Sequence, residues 1–323
     1  MNILISGGSG FLGSAFSTEI QKRYQTADNE LHITWLTRDS SQAHPDNIKM
    51  MTYDELSNTD NTFDVILNLA GAGIADTRWS DERKEQLLAS RIKPTESILE
   101  FIARTSIKPK LLVSGSAIGW YGVQGDKPLT ESSTYKTDFA HQLCEQWEQL
   151  ALKATEYGVP VAIVRTGVVI HPEGGMVGKL LTPFKMGAGG QLGDGQQVMS
   201  WVSREDWVGA AIFIIEQYLA GKHDGSADTA PDNALQTSSD TSAVVYNLTS
   251  PNPVNNHTFT KTLGAWLHRP TFFTLPKFLL KLMFGEMSTL LIDGQKVLPQ
   301  ALQDEGYEFQ QPTLEQALEE QKS

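Results

Sequence analysis

The sequence predicts an α/β fold in which a doubly wound parallel sheet carries a small, mostly helical C-terminal lobe. The strand candidates are short and apolar throughout, which is typical of strands that are covered on both faces. They alternate with stretches of helical length, and this alternation is typical of parallel sheets. A glycine-rich turn joins the first strand directly to the first helix, as in the opening unit of such sheets.

The same patterns give the order of the elements. The predicted strands are 1–6, 31–37, 64–71, 110–117 and 160–170. The predicted helices are about 11–24, 81–104, 138–157 and 206–219. A polar stretch at 221–242 indicates a solvated surface loop, and two or three further helices are expected after about residue 251.

The turn after the first strand carries a specific chemical signal. It contains Gly7, Gly10 and Gly13. In dinucleotide-binding turns the first glycine permits the turn, the second lets backbone approach a pyrophosphate, and the third lets helix pack on strand. The N–H groups of Phe11, Leu12 and Gly13 then begin the helix and face the phosphates. The position of the turn favours a Rossmann-type dinucleotide site over a glycine turn without a ligand.

The end of the second strand bears on the choice of cofactor. An acidic residue there holds the ribose of NAD, whereas a cation pairs with the phosphate of NADP. Thr37 occupies the usual acidic position, and Arg38 follows with a planar guanidinium that suits a phosphate. We therefore predict NADP. Asp39 as a ribose ligand and Arg38 as a solvated surface residue are the alternatives.

These signals divide the chain into two parts. Residues 1–170 are predicted to form the NAD(P)-binding Rossmann domain, with the sheet completed by 201–250. Residues 171–200 and 251–323 are predicted to form a substrate lobe over the carboxyl edge of the sheet.

Charge and composition limit the cellular compartment and the binding partners that the sequence is compatible with. Lys and Arg number 26 against 38 acidic residues, so the net charge of -12 disfavours nucleic acid and anionic membrane surfaces. The one cysteine, Cys144, cannot form an internal disulfide, and no signal segment is recognised, so we expect a cytoplasmic protein. The apolar stretch FFTLPKFLLKLMFG contains Pro276, Lys277 and Lys281 and is shorter than the roughly 20 residues of a membrane helix. We expect it to form a buried or domain-packing helix.

Several motifs together resemble one family over nearly the whole chain. They are NLAG at 68–71, SGSAIGWYG, WVSREDWVGAA, RWSDERKEQLLASRI, GQKVLPQAL and the long segment from TGVVIHPEGG to GDGQQVMSW. The chain resembles the extended short-chain dehydrogenase/reductase superfamily, and within it the atypical epimerase-family branch. The resemblance implies a Rossmann domain that binds NADP, with Leu69, Ala70 and Gly71 at the cofactor, and a small C-terminal substrate lobe.

The chain departs from the superfamily at the catalytic positions. A Ser or Thr of the superfamily polarises the substrate oxygen, a Tyr exchanges its proton, and a Lys four residues later lowers the pKa of that Tyr. Ser116 matches the serine. Phe139 and Ala140 stand where the Tyr is expected, and Leu143 and Cys144 stand where the Lys is expected. The usual proton relay is therefore not predicted.

The chain also departs from the superfamily at a substrate-binding position, and two other places in the sequence could supply a proton donor in place of the missing Tyr and Lys. Met199 and Ser200 occupy the place where members that bind nucleotide sugars commonly have an Arg. Tyr218 and Lys222 have the spacing of a Tyr-Lys pair but end a later helix. Tyr121, in the loop after the fourth predicted strand, is the nearest alternative proton donor, and its packing against the lobe is the competing interpretation.

Three polar residues of one predicted helix, Gln86, Ser90 and Arg91, complete the candidate site. Arg91 and Gln86 lie on nearby turns of one predicted helix and are expected to reach the cofactor or a substrate phosphate; a structural ion pair is the alternative for Arg91. His141 has no second ligand at metal spacing, so no metal site is predicted.

The sequence thus favours an NADP-dependent oxidoreductase that acts on a small carbonyl or alcohol substrate through Ser116 and Tyr121. A catalytically silent NADP-binding sensor or partner-binding protein and a nucleotide-sugar epimerase are the alternatives. The pattern gives no signal for the oligomeric state.

Overall fold

Seven parallel strands form the central sheet of the computed structural model, which describes residues 1–25, 30–41, 44–222, 233–235 and 241–320. The strands are β1 (Asn2–Ser6), β2 (His32–Thr37), β3 (Ile48–Thr52), β4 (Val65–Asn68), β5 (Leu111–Ala117), β6 (Val161–Thr166) and β7 (Ala243–Leu248). Their order is β7-β6-β5-β4-β1-β2-β3, with every neighbouring pair parallel. The predicted fold class is confirmed. The order reverses between β1 and β4, where sheets of this kind bind ligands at the carboxyl ends of the strands.

Helices cover both faces of the sheet and continue into the C-terminal part. They are α1 (Phe11–Tyr24), α2 (Tyr53–Asn58), α3 (Asp81–Arg104), α4 (Phe139–Leu152), α5 (Gly175–Lys185), α6 (Arg204–Leu219), α7 (Asn256–Trp266), α8 (Lys277–Phe284), α9 (Thr289–Ile292), α10 (Gln300–Asp304) and α11 (Leu314–Glu319). On one face α1, α6 and α10 pack on the sheet, and on the other α2 and α3 do so. The continuous apolar strands are explained by this two-sided cover.

A second apolar core lies beside the sheet. It joins α5, α7 and α11 through Val177, Phe184, Phe259, Leu263 and Leu314. Both segments of the predicted lobe, 171–200 and 251–323, contribute to it. However, α10 packs on β7 of the sheet instead, so the 251–323 segment is divided between the two cores.

Several short strands connect the two cores. Val168–His171 pairs with Trp201–Ser203, Gly190–Leu192 with Phe273–Leu275, Pro128–Leu129 with Lys296–Val297, and Val198–Met199 with Val254–Asn255. Residues 118–121, 153–157 and 285–288 form single turns of 3-10 helix. Among the residues described, no helix is both long and apolar enough to cross a membrane.

The structure adds three elements that were not predicted and divides one predicted strand in two. β3, α2 and α5 were not predicted; the capping box between Thr52 and Glu55 explains the start of α2. The predicted strand 160–170 is two strands, because at Gly167 the chain passes so close to Ser200 that a Cβ would lie 2.7 Å from its carbonyl oxygen. Residues 221–242 lie largely outside the described residues.

The helix predicted to be buried in the stretch FFTLPKFLLKLMFG is largely exposed. Its residues form α8, where Leu280 is buried but Phe278 and Leu282 are 68% and 72% exposed. Only one side of α8 meets the rest of the chain, so the helix is not buried as a whole, and the alternative of a domain-packing helix stays open.

A buried carboxylate ties the C-terminal part to the sheet. One oxygen of Glu131 accepts hydrogen bonds from the backbone N–H groups of Asn247 in β7, at 2.9 Å, and of Ala301 in α10, at 3.3 Å. Burial raises the pKa of Glu131 to about 7. Native Glu131 therefore binds a proton more tightly than it does in the unfolded chain.

Stability should fall through Glu131 as the pH rises from about 5 to about 7. Because the native pKa is raised, the stabilising contribution is fully present below the unfolded pKa of 4.5 and is lost as the pH passes about 7. Glu131→Gln keeps an acceptor oxygen and cannot titrate. Relative to this variant, the free energy of unfolding of the wild type should decrease by about 2 kcal/mol over this window. Urea denaturation across this range measures the difference, and parallel curves for the two proteins would contradict the prediction.

Candidate functional site

The glycine turn lies against the loop that follows β4. Gly7 has a φ of +77°, and a Cβ there would lie 2.9 Å from the backbone carbonyl of Leu69. A Cβ on Gly13 would lie 2.4 Å from the carbonyl oxygen of Gly7. These two glycines permit close backbone packing between β1, α1 and the β4 loop. Gly10 differs, since its Cβ would meet only the Gly7 oxygen, at 3.1 Å, and would otherwise point into open space.

The start of α1 is a ready anion site. Gly10 is the N-cap and offers no side chain to its N–H groups, and the first turn contains no acidic residue. The N–H groups of Phe11, Leu12 and Gly13 therefore keep hydrogen-bonding capacity at the positive end of the helix dipole. The open space beside Gly10 lets an anion approach them.

The turn after β2 places a cation at the same edge of the sheet. Arg38 is exposed and makes no ion pair with any residue in the described ranges. The oxygen of Thr37 accepts from the N–H of Asp39, and the Asp39 carboxylate accepts from both the N–H and the hydroxyl of Ser41. The Asp39 carboxylate is thereby held toward Ser41, which leaves Arg38 as the available charged group of this turn.

The loop after β4 is held by α3. The N–H of Leu69 donates to Ser6, and the N–H of Ala72 donates to the hydroxyl of Ser90 at 3.0 Å. Arg91 donates to the carbonyl of Ala72 at 3.1 Å. Ala70 and Gly71 lie between these anchors, in the loop at the carboxyl end of β4.

Gln86 does not join this group. It is exposed on α3, and its amide bonds side chains of its own helix, Glu82 and Arg83. Among the described residues it makes no hydrogen bond to the β4 loop, so a role for Gln86 at the cofactor stays a prediction.

Ser116, at the end of β5, belongs to a buried polar network. Its hydroxyl donates to the carboxylate of Glu148 at 2.5 Å, and it is only 5% exposed. Arg165 donates to both oxygens of Glu148, at 2.9 and 2.8 Å. In this arrangement the hydroxyl hydrogen of Ser116 is directed to Glu148 and not to the crevice, and its catalytic role stays a prediction.

Tyr121 is fully buried in the same network. Its hydroxyl donates to Asn247 at 2.7 Å and accepts from Arg165 at 3.1 Å. Burial raises the pKa of Tyr121 to about 12. The ring packs with Leu129 and Val297, so the structure favours the packing interpretation and contradicts Tyr121 as a proton donor at the crevice.

The vacated Tyr-Lys positions are apolar. Phe139 and Leu143 pack with Trp79 and Met287, and the ring centroids of Phe139 and Trp79 are 4.8 Å apart. Burial raises the pKa of the Cys144 thiol to about 11, so it is not a thiolate at neutral pH. The positions where the resemblance expects the proton relay are thus occupied by side chains in hydrophobic contact.

The remaining candidates have structural partners. Nδ1 of His141 lies 2.5 Å from the carbonyl oxygen of Trp120, and its ring stacks on Tyr135. Tyr218 is buried on the α6 side of the sheet, where burial raises its pKa, and Ser200 bonds the backbone of 295–297. Within the described ranges, His, Cys, Asp and Glu form no group of three that could hold a metal ion.

The fold and the crevice define a nucleotide-binding α/β protein with a Rossmann sheet. The sequence model of the NAD dependent epimerase/dehydratase family matches residues 3–228, and that of a domain of unknown function, DUF1731, matches residues 275–321. The chain belongs to the NAD dependent epimerase/dehydratase family, which confirms the resemblance drawn from its motifs.

Full-length relatives agree with this assignment. The chain is 34% identical over 318 residues to Epimerase family protein Mb2239 of Mycobacterium bovis, covering 98% of this chain and 96% of the relative. It is 32% identical over 323 residues to Epimerase family protein SA0724 of Staphylococcus aureus, covering 98% and 97%. The crystal structure of human epimerase family protein SDR39U1 (isoform 2) with NADPH matches with a TM-score of 0.83 at 27% identity, covering 99% of this chain and 98% of that chain.

Gly10 and Gly13 should respond differently to substitution. In Gly13→Ala the new Cβ meets backbone atoms at 2.4 and 2.7 Å, so we expect a loss of about 1–3 kcal/mol of unfolding free energy. Gly10→Ala meets one atom at 3.1 Å and should stay within about 0.5 kcal/mol of the wild type. Chemical denaturation of both variants compares them directly. Equal losses would show that the turn is not packed as described.

Proposed function

We propose that the chain binds NADP(H) in the crevice between β1 and β4 and is an oxidoreductase for a small acceptor. The observation that carries the cofactor assignment is the uncapped N-terminus of α1 beside the open Gly10, with Arg38, which forms no ion pair within the described ranges, one strand away. Phe11, Leu12 and Gly13 would hold the pyrophosphate, and Arg38 the extra phosphate of NADP. The human relative solved with NADPH supports the choice of cofactor.

The apolar relay positions bear on the acceptor. Bound NADPH supplies a hydride. Ser116 and Tyr121 are committed to their network, and Phe139 and Leu143 cannot donate a proton. Carbonyl reduction needs a proton at the developing alkoxide, whereas a quinone takes the hydride to give an anion that water can protonate. The arrangement therefore favours acceptors of the quinone type over ketones.

A cofactor-binding sensor is the second candidate. The loop after β4 runs through 72–79 to Trp79, which packs with Met287 of the C-terminal part, and Lys84 pairs with Glu286 at 2.5 Å. This contact gives the cofactor crevice a direct mechanical link to the lobe. Nucleotide-sugar epimerisation is disfavoured, because it needs a base for a sugar hydroxyl, and the family's base is replaced by apolar residues.

NADPH should bind more tightly than NADH, because Arg38 meets the extra phosphate. A charge-assisted hydrogen bond of this kind contributes about 1.5–3 kcal/mol, so we expect a preference of at least about tenfold. Calorimetry with both cofactors measures it. Arg38→Ala should lose the preference while keeping NADH affinity, and Gly10→Val should remove binding of both cofactors in a folded protein. An unchanged preference in Arg38→Ala would overturn the phosphate assignment.

The acceptor prediction can be tested with a panel of quinones, aldehydes and ketones in the presence of NADPH. Quinones should be reduced fastest, and Ser116→Ala should keep that rate within a few fold because its hydroxyl serves the network. If Ser116 instead donates to substrate, its removal should slow ketone reduction by about 10² to 10⁴. Tight NADPH binding with no turnover of any acceptor would favour the sensor.

A further inference from the structure

A row of large apolar side chains projects from the C-terminal part of the chain. Phe278 and Leu282 lie one turn apart on the outer side of α8 and are 68% and 72% exposed, whereas Leu280 on the inner side is buried. Phe272 is 84% exposed and comes just before the strand Phe273–Leu275, which leads into α8. We define the α8 face by the exposed side chains of Met186, Phe272, Phe273, Phe278, Leu282 and Met283.

Backbone contacts join the parts of the α8 face. The strand Phe273–Leu275 pairs with Gly190–Leu192, which follows α5. Arg269 donates from Nε to the backbone carbonyl of Lys185 at 2.9 Å, and this bond holds Met186, at the end of α5, beside the chain that leads to that strand. The apolar side chains therefore form one patch. Contiguous exposed apolar patches mark sites of interaction with a protein or a membrane.

The α8 face is basic, although the protein is acidic. Residues 251–285 contain four Lys or Arg residues and no Asp or Glu, whereas the whole chain carries a net charge of -12. Lys281 is exposed on α8, three residues after Phe278, and forms no ion pair within the described ranges. The nearby Asp194 carboxylate is paired with Lys277 at 2.8 Å. The net charge that disfavours anionic membranes is thus unevenly distributed, and this face is its exception.

Charge and shape together indicate what covers the α8 face. Two copies of the chain that met through this face would place lysine against lysine, and residues 251–285 supply no carboxylate to pair with them. Apolar side chains that are largely exposed project from the surface and do not line a groove. Projecting Phe and Leu side chains with Lys beside them are typical of helices that lie in the boundary between lipid headgroups and acyl chains.

We propose that the α8 face docks on the surface of a bilayer that contains anionic lipids. Phe278 and Leu282 enter the headgroup boundary, and Lys281 contacts lipid phosphates. A helix of eight residues lies on such a surface and does not cross it, so the docking is reversible. The inference goes beyond the proposed function and does not depend on cofactor binding.

Docking would also bring the crevice close to the bilayer. The end of α8 adjoins the loop after β4, where a Cβ on Gly285 would lie 2.7 Å from Nε of Arg78. Met287, just after α8, packs with Trp79 of the same loop. An apolar quinone dissolves in lipid, so a docked protein would meet an acceptor of the proposed type at the membrane surface.

Co-sedimentation of the full chain with lipid vesicles tests the docking. The wild type should bind vesicles of phosphatidylglycerol and phosphatidylcholine at least about tenfold more tightly than vesicles of phosphatidylcholine alone. The difference should shrink when the salt concentration is raised from about 0.1 to about 1 M. Lys281→Gln should weaken binding to the anionic vesicles about fivefold, and the double variant Phe278→Ser/Leu282→Ser should weaken it at least about tenfold.

Two exposed residues outside the α8 face supply matched controls. Ile107 is 62% exposed before the amino end of β5, at the opposite edge of the sheet, and the Lys22 side chain is 70% exposed on α1. Ile107→Ser and Lys22→Gln should bind the anionic vesicles as the wild type does. Because the substituted side chains are all exposed, every variant should keep the unfolding free energy of the wild type.

A fluorescent label distinguishes insertion from attraction of charges alone. The one cysteine, Cys144, is buried, so a thiol-reactive nitrobenzoxadiazole dye labels an introduced cysteine selectively. The emission of the dye on Phe278→Cys should move to shorter wavelength when anionic vesicles are added, because the dye leaves water. The same dye on Ile107→Cys should not respond.

Four results would overturn the proposal. They are no binding of the wild type to anionic vesicles, unchanged binding of Phe278→Ser/Leu282→Ser, equal binding of the wild type to both kinds of vesicle, and no response of the dye at Phe278→Cys. Analytical ultracentrifugation identifies the competing occupant. A wild-type dimer that the double substitution converts to a monomer, without vesicle binding, would assign the α8 face to a second copy of the chain.

Discussion

The buried ion pair between Glu148 and Arg165 determines what chemistry is left at the carboxyl edge of the sheet. Arg165 of β6 is 1% exposed, grips the Glu148 carboxylate of α4 with two hydrogen bonds and lies 3.5 Å from the centroid of the Trp120 ring. Removing one partner of such a pair costs about 3–5 kcal/mol, since the other is left as a buried charge. The pair must therefore stay satisfied, and it recruits Ser116 and Tyr121 to complete its hydrogen bonds. The hydroxyl groups of Ser116 and Tyr121, which the sequence analysis considered for catalysis, therefore form hydrogen bonds within this buried network.

The crevice itself is positive within an acidic protein. The free end of α1, Arg38 and Arg91 surround the switch point, although the chain carries a net charge of -12. Clefts lined by one sign of charge concentrate oppositely charged ligands, and negative charge elsewhere repels nonspecific anions such as nucleic acid. A dinucleotide phosphate is thus attracted to one place on the molecule.

Much of the fold followed from the sequence because two-sided burial leaves an unmistakable pattern. β1, β4, β5 and β6 are nearly continuous apolar runs, and Gly7 and Gly13 are required by backbone contacts that the turn itself creates. The short elements β3 and α2 were not predicted, although the sequence contains the capping-box pattern that begins at Thr52. Helix α5 was not predicted, because the glycine-rich sequence around it indicated a loop.

The site was less predictable, for a physical reason. A glycine motif can be recognised because it reflects the geometry of the local backbone. The role of Ser116 depends instead on Glu148, which lies 32 residues further along the chain. No spacing rule reveals that Tyr121 bonds Asn247 across 126 positions. Arg91 was found by its place in a motif, but only the structure shows that it forms no ion pair within the described ranges.

The replacement of the proton relay also changes how the lobe is held. In place of a phenol and an ammonium, which need water or substrate, Phe139 and Leu143 offer apolar surface that Trp79 and Met287 cover. Trp79 donates to the carbonyl of Ile74 at 2.9 Å, so the same ring fixes the loop that leaves β4. The apolar side chains at these positions therefore add contact between the loop after β4 and the C-terminal part. Hydride transfer that needs no protein acid, or binding without transfer, is the chemistry compatible with such an arrangement.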